Sequence, residues 1–247
     1  MNHLFSFLIV CLFTLYSANL QAVSITKTRL FLDEDKRMTD MSVYNSNSPV
    51  KVCEVSLKKV GIDGDGLGLD PNLPALPNPA PLVRLAPRNF ELGTNQHQAF
   101  KLIYRRTPGI DSGEYIGVVA IRCADKERTS EDRVNIKPQL VHNIPLIVRV
   151  GKLSVVGEFL KAEKVNQLIN IEFMLQGGRS VTGDFQVVDK SSGQVLVEKK
   201  KVSVYPKFDN KKLSLQLPES SSSDLEVVFK EIKESGKLII KRALTTF

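Results

Sequence analysis

The chain has 247 residues, 42% of them hydrophobic, with 12 Pro, 15 Gly and no Trp, which is long enough for two modest domains with their own cores and too apolar for a disordered protein. Its 34 Lys and Arg against 27 Asp and Glu give a formal net charge of +7, yet the basic residues are scattered apart from Lys199, Lys200 and Lys201 and the pair Lys211 and Lys212. No aromatic stacking platform accompanies those clusters, so they read as solvated strand ends and turns in preference to the alternative, a nucleic-acid-binding surface, and no nucleic-acid partner is expected.

Residues 1–22 read as a secretory signal peptide: a polar start, an apolar run from Leu4 to Tyr16, then SANLQA with cleavage after Ala22. The run is too short to span a bilayer, so no stable membrane insertion is expected. Cys11 lies inside that run, not at its end, which argues against a lipid anchor. Removing the segment leaves Cys53 and Cys123, and an even pair in an exported chain favours a disulfide. His97 and His142 are not spaced to these cysteines like zinc ligands, so neither a metal nor another cofactor is expected.

From Val23 onward the sequence reads as short strands separated by turn residues, the pattern of a β sandwich. VSITKTRLFL, MTDMSVYN and VKVCEVSLKKV come first. Residues 61–81, GIDGDGLGLDPNLPALPNPAP, are too rich in Gly, Pro, Asp and Asn for regular structure and predict a long flexible loop. Its DGDGLGLD core is a poor calcium loop, because Leu67 stands where an oxygen ligand is needed and Pro74 where the bidentate Glu belongs. LVRLAPRNFEL, QHQAFKLIYRRT and EYIGVVAIRC resume the strands.

Residues 133–150, RVNIKPQLVHNIPLIVRV, alternate like a strand but carry Pro138 and Pro145. Proline cannot donate to a ladder, so this strand predicts a sheet edge with part of its backbone free. Val134, Ile136, Pro138 and Leu140 share one side of it.

After Gly151 the all-β texture returns in VNQLINIEFMLQ, SVTGDFQVVD, GQVLVEKKKVSVYP, KKLSLQLP, DLEVVFKEI and KLIIKRAL. The expected division is therefore residues 1–22, 23–150 and 151–247, with two immunoglobulin-like β-sandwich domains and no flexible linker between them. If VKVCEVSL and EYIGVVAIRC are the third and sixth strands of such a domain, they neighbour each other antiparallel with Cys53 level with Cys123, and a cross-strand bridge follows. No nucleophile elbow, paired His and nucleophile or phosphate cradle is present, so no enzyme is expected.

The opening VSITKTR followed by MSVYN, the APRNF and GEY segments, IPLIVR, and GGRS with GD in the second half resemble the periplasmic chaperones of pilus assembly, the PapD-like family, in one of its divergent branches. The resemblance implies two immunoglobulin-like domains in a boomerang, no catalysis, and a periplasmic partner of pilus subunits and an outer-membrane usher. It implies that the edge strand 133–150 is lent to a subunit by donor-strand complementation, with Val134, Ile136 and Leu140 filling the subunit's groove.

The resemblance also implies that Arg29 anchors a subunit's terminal carboxylate. A lysine on the same edge strand would assist it, but Pro145 stands at that place; Lys51, Arg105, Arg122 and Lys137 are the remaining basic candidates. The alternative anchor of divergent members falls on Ser48 and Ile116, which carry no charge. Arg149 with Glu114 and Glu234 is implied to fix the angle between the domains. Self-association through the exposed edge would hide it in the free protein. The alternative is a secreted or surface adhesin, a pilin-like binding sandwich.

Overall fold

The computed structural model describes residues 22–63, 66–106, 108–126, 139–206, 208, 210–218 and 224–246. Among them the regular structure is β strand apart from one 3-10 turn at Ala80–Leu82. No helix among them is long and apolar enough to cross a membrane. Residues 1–21 of the expected signal peptide, together with Val134, Ile136, Lys137 and Pro138, lie outside the described residues.

The first sandwich contains β1 (Ala22–Ile25), β2 (Leu30–Leu32), β3 (Met38–Ser46), β4 (Lys51–Lys59), β5 (Gly61–Asp63), β6 (Gly66–Gly68), β7 (Val83–Ala86), β8 (Asn89–Leu92), β9 (His97–Tyr104), β10 (Gly113–Asp125) and β11 (Val141–Val150). Its sheets run β1-β3-β9-β7 and β2-β11-β10-β4-β8. The second contains β12 (Val155–Val165), β13 (Leu168–Gly177), β14 (Val181–Asp189), β15 (Val195–Val204), β16 (Lys211–Gln216), β17 (Leu225–Glu231), β18 (Ile239–Ala243) and β19 (Thr245–Thr246). These form sheets β16-β13-β12-β19 and β15-β14-β17-β18. The all-β, two-sandwich architecture expected from the strand spacing is therefore what the chain adopts.

Alternation explains most of these strands. Along β3 the exposed and buried residues alternate, with Met41 and Val43 inside, and β9 does the same with Phe100 and Leu102, so each strand gives one face to a shared core. In the second sandwich Phe159, Phe173, Phe185 and Phe229 fill the space between sheets, meeting at centroid distances of 4.9 to 6.1 Å, within the range that aromatic pairs prefer. The two main cores share no residue.

The segment read as one strand, VSITKTRLFL, is two. β1 pairs antiparallel with β3, whereas β2 pairs parallel with β11. The chain crosses from one sheet to the other at residues 26–29, which places Arg29 at the crossover. Cys53 and Cys123 are Cα partners in the antiparallel β4 and β10 ladder and form a disulfide with a Cα separation of 4.1 Å.

The described residues of 61–81 do not form the flexible loop that their composition predicts. β5 and β6 form a hairpin, Ala75 bridges Gly61, and the Ile116 N–H donates to the Pro77 carbonyl at 2.9 Å. β4 pairs β10 only from Gly117 onward, so this segment takes up the donor that β4 leaves open. Val60 and Ile62 are buried, and Val60 joins Phe31, Ile116, Val118 and Ile147 in a third cluster on the outer face of the five-stranded sheet. Tyr205 and Ile232 of the second sandwich pack on that cluster, making it an apolar seam between the sandwiches.

β11 is an edge strand along only half of its length. Leu146, Ile147 and Val148 pair with β2, while among the described residues nothing pairs residues 141–145 on the side away from β10. Pro145 sits one residue before the paired part, where its missing N–H leaves no donor unsatisfied. Gly151 follows β11 with φ +75, and a Cβ there would lie 2.6 Å from the Ser112 hydroxyl. Glycine is required at this joint both for the left-handed backbone and for the close approach.

Candidate functional site

Two polar constructions span the contact between the sandwiches, and they differ in kind. The first is a closed knot. Glu114 on β10 and Arg149 on β11 are Cα partners, so their side chains emerge side by side, and the Arg149 Nε donates to Glu114 Oε1 at 2.9 Å. Both are largely buried, at 12% and 7% side-chain exposure.

From there the knot reaches the second sandwich through backbone groups. Arg149 Nη2 donates to the Ser180 carbonyl at 2.8 Å and Nη1 to the Ser235 carbonyl, while the Ser180 N–H donates to Glu114 Oε2 at 2.7 Å. The Arg149 guanidinium also lies 5.7 Å from the Phe31 ring centroid, a cation–π distance.

A second arginine–carboxylate pair supports these contacts. Arg179 donates from Nη1 and Nη2 to the two oxygens of Glu231 at 2.5 and 3.0 Å, the bidentate fork that gives such pairs their geometric specificity. The Ser235 hydroxyl donates to Glu231 at 2.8 Å and the Leu238 N–H at 2.9 Å. Burial opposes ionisation of Glu231, but the hydrogen bonds from Arg179, the Leu238 N–H and Ser235 outweigh it and hold the carboxyl below its usual range. Gly236 leaves room for this packing, since a Cβ would lie 2.4 Å from Glu231 Oε2.

The expectation that Glu234 belongs to this interdomain cluster needs correction. Arg149 and Glu114 meet, but the second-sandwich carboxylate of the cluster is Glu231, buried at the end of β17, whereas Glu234 is exposed on the following turn and lines a cavity beside Arg29. An inward-facing strand end can hold a desolvated carboxylate among donors; an exposed turn residue keeps its water. Arg179, Glu231 and Ser235 had no assigned role in the sequence reading, although Arg179 lies within the GGRS segment that carried part of the resemblance.

The second construction is an open basic cleft. Arg29, half-buried at the crossover between β1 and β2, reaches over to donate from Nη1 to Thr182 Oγ1 on β14 at 3.2 Å. Thr182 Oγ1 is also 3.1 Å from the Ser203 hydroxyl. Burial pushes the Tyr205 phenol up, with the neighbouring Arg29 guanidinium acting in the opposite direction. The cleft measures about 480 Å³, with Arg29, Pro145, Ile62, Leu67 and Tyr205 among its walls and Lys199, Lys200, Lys201 and Lys211 along its far side.

These lysines come from β15 and β16, and the local strand geometry directs one of them. Opposite Gly183 and Phe185 the ladder partners on β15 are Val202 and Lys199, so Lys200 and Lys201 together oppose Asp184. This is a β-bulge, and Lys201 occupies its left-handed position with φ 56. Its backbone N–H donates to Asp184 Oδ1 at 2.8 Å, which holds the bulge. Such a conformation costs a non-glycine residue about 1 to 3 kcal/mol.

The other proposed site residues are placed less decisively. Leu140 is 66% exposed just before β11. Among the basic alternatives, Lys51 pairs with Asp125 and Arg122 with Glu54, and neither lines the cleft around Arg29. Ser48 and Ile116 are buried. Among the described residues no cluster of His, Cys, Asp or Glu could hold a metal ion.

No family model matches the sequence, and no curated protein matches it. Solved structures do match. The chaperone CupB2 of Pseudomonas aeruginosa is 15% identical, with 90% of this chain and all of that one covered and a TM-score of 0.50. A structure of the Salmonella enterica SafA pilin in complex with the SafB chaperone matches at 16% identity, 92% and 99% coverage and a TM-score of 0.49. The Escherichia coli chaperone DraB matches at 11% identity, 91% and 97% coverage and a TM-score of 0.49. The chain has the PapD-like two-sandwich fold of the pilus chaperones.

Proposed function

We propose that this chain is a periplasmic chaperone of pilus assembly, which holds fimbrial subunits by lending them its edge strand 133–150 and passes them to an outer-membrane usher. The observation that carries this reading is the half-open edge of β11. Among the described residues, none pairs the backbone of 141–145 on the side away from β10, and the opening stops where β2 begins, beside Arg29 and the cleft. An extended segment added there would gain main-chain hydrogen bonds without its sequence being read, and its course would be blocked by Leu30. In this reading Arg29, next to that block, receives the charge at the end of such a segment.

In this reading Val134, Ile136 and Leu140 are the side chains that enter a subunit's groove, and the exposure of Leu140 supports that role for it. The knot around Arg149, Glu114 and Glu231 fixes how the two sandwiches present the cleft, with the boundary between them at Gly151. The work is binding without turnover.

The test is production in a bacterial periplasm together with a pilus subunit encoded beside this chain. A stable one-to-one complex is expected on purification, and Arg29→Ala should reduce its recovery by at least tenfold while the variant's circular dichroism and melting temperature stay near those of the parent. Undiminished recovery with Arg29→Ala removes the anchor from the reading; absence of any complex with the parent removes the reading itself.

A further inference from the structure

We infer that Lys201, from the second sandwich, is the partner of Arg29 in one carboxylate-binding site that bridges the two sandwiches, in place of the lysine that Pro145 displaces from the edge strand. The inference rests on the chaperone reading for its occupant, the carboxylate at the end of a bound chain, but its chemistry stands on the cleft alone.

Three observations single out Lys201. Arg29 lines two adjoining cavities at the contact between the sandwiches, and Lys201 is the lysine that lines both with it. Its neighbours differ: Lys200 is paired with Glu198 at 2.7 Å, and Lys27, on the other side, is held by Asp40. No hydrogen bond or ion pair joins the Lys201 ammonium to another described residue. Its backbone is also in a conformation that glycine would adopt more readily, φ 56, within a bulge fixed by Asp184. Bulges re-aim side chains beside functional sites, and keeping a lysine at a position suited to glycine needs a reason other than the turn.

β15 is an edge strand, and lysines on edges discourage unwanted pairing. That accounts for Lys199 and Lys200 but not for the backbone strain at Lys201. Glu234 also lines the second cavity, so the site is selective: a single carboxylate is attracted between Arg29 and Lys201, while a strongly acidic segment meets repulsion there. Arginine supplies a planar fork and lysine a point charge. An anion held by both ties the bound chain to both sandwiches at once.

The experiment compares the mature chain with Lys201→Gln, Lys201→Gly and Lys200→Gln variants, using two probes. With a subunit as partner, Lys201→Gln should weaken retention roughly tenfold, in the range of a hydrogen bond to a charged group, and Lys200→Gln should leave it unchanged. Lys201→Gly should lose retention equally while melting no lower than the parent, a combination that a merely structural lysine would not give. Equal losses from Lys200→Gln and Lys201→Gln, or none from either, overturn the assignment. A subunit extended by a short C-terminal tail should be retained poorly by the parent; full retention overturns the chain-end carboxylate as the occupant.

Acetate, a single carboxylate, titrated by NMR against the subunit-free chain, provides the second probe. Weaker acetate binding by Lys201→Gln than by the parent sustains the anion site even where no subunit is retained and the chaperone reading has failed. Equal acetate binding by the two overturns the inference, whatever the subunit does.

Discussion

The knot around Arg149 and the cleft around Arg29 both lie between the same two sandwiches, yet they use charge in opposite ways. In the knot each arginine meets a carboxylate, the carboxylates accept backbone N–H groups as well, and solvent is nearly excluded. In the cleft Arg29 makes a neutral bond to Thr182, and Lys199, Lys201 and Lys211 line the far wall without a carboxylate partner among the described residues. Charges that hold a joint together are desolvated and satisfied from within. Charges that recruit a partner stay hydrated until it arrives, because a buried unpaired cation would cost more than any contact returns.

The largest effect should follow from breaking the knot. Arg149→Ala removes the partner of Glu114 and strips donors from the Ser180 and Ser235 carbonyls, leaving a carboxylate that is only 7% exposed without its cation. Breaking one side of a buried pair costs about 3 to 5 kcal/mol. Urea unfolding should register a loss of that size, with the two sandwiches ceasing to unfold together as their shared polar contact goes. A loss below about 1 kcal/mol would place this pair with ordinary surface ion pairs and erase the contrast with the cleft.

Acid offers a second way to separate the two constructions. The Glu231 carboxyl is held below its ordinary value of 4.5 in the folded chain, so its ionised form is favoured by folding. The stability it contributes is fully present above the unfolded value and is lost as pH falls through the folded one. Stability measured by unfolding from pH 6 downward should therefore decline below about pH 4.5, and Glu231→Gln should flatten that decline while lowering stability at pH 6. An unchanged acid profile in Glu231→Gln would show that other carboxylates dominate the acid response.

The sandwiches themselves were legible because their strands alternate and turn residues separate them; Cys53 and Cys123 fell level because the ladder between their strands is regular. What escaped the sequence has identifiable physical causes. β12 was missed because its pairing with β13 slips between Phe159 and Lys161, so the buried Phe159 and Ala162 stand three apart and the two-residue period fails. The segment 61–81 reads as irregular because its order comes from a short hairpin, a single bridge between Gly61 and Ala75 and the packing of Pro79 against Gly117, none of which needs an alternating apolar pattern. Glu231 is not legible in the sequence because it and Glu234, three residues on, differ only in which faces inward, and that is settled by where β17 ends. Lys201 lay unnoticed within a run of three lysines because only the bulge opposite Asp184 distinguishes it.

The smallest effect should come from Lys27, which stands between the two extremes: it lines a cavity with Arg29 but is tied to Asp40. Its ammonium donates to Asp40 Oδ1 at 3.2 Å and to the Asp40 carbonyl at 2.6 Å, and the hydrogen bond and charge of Lys27 hold the Asp40 carboxyl below its usual range. The pair is nonetheless open to solvent, at 40% and 63% side-chain exposure, so water competes for both partners and salt screens them. Lys27→Ala should therefore cost less than about 1 kcal/mol at low salt, and the difference from the parent should shrink in 1 M NaCl, where the screening length is about 3 Å. Subunit retention should be unaffected, because a lysine already committed to a neighbouring carboxylate has little charge to offer an incoming one. A loss of retention comparable with that of Lys201→Gln would mean that the whole basic rim acts as a diffuse field, and that pairing does not decide which cations bind.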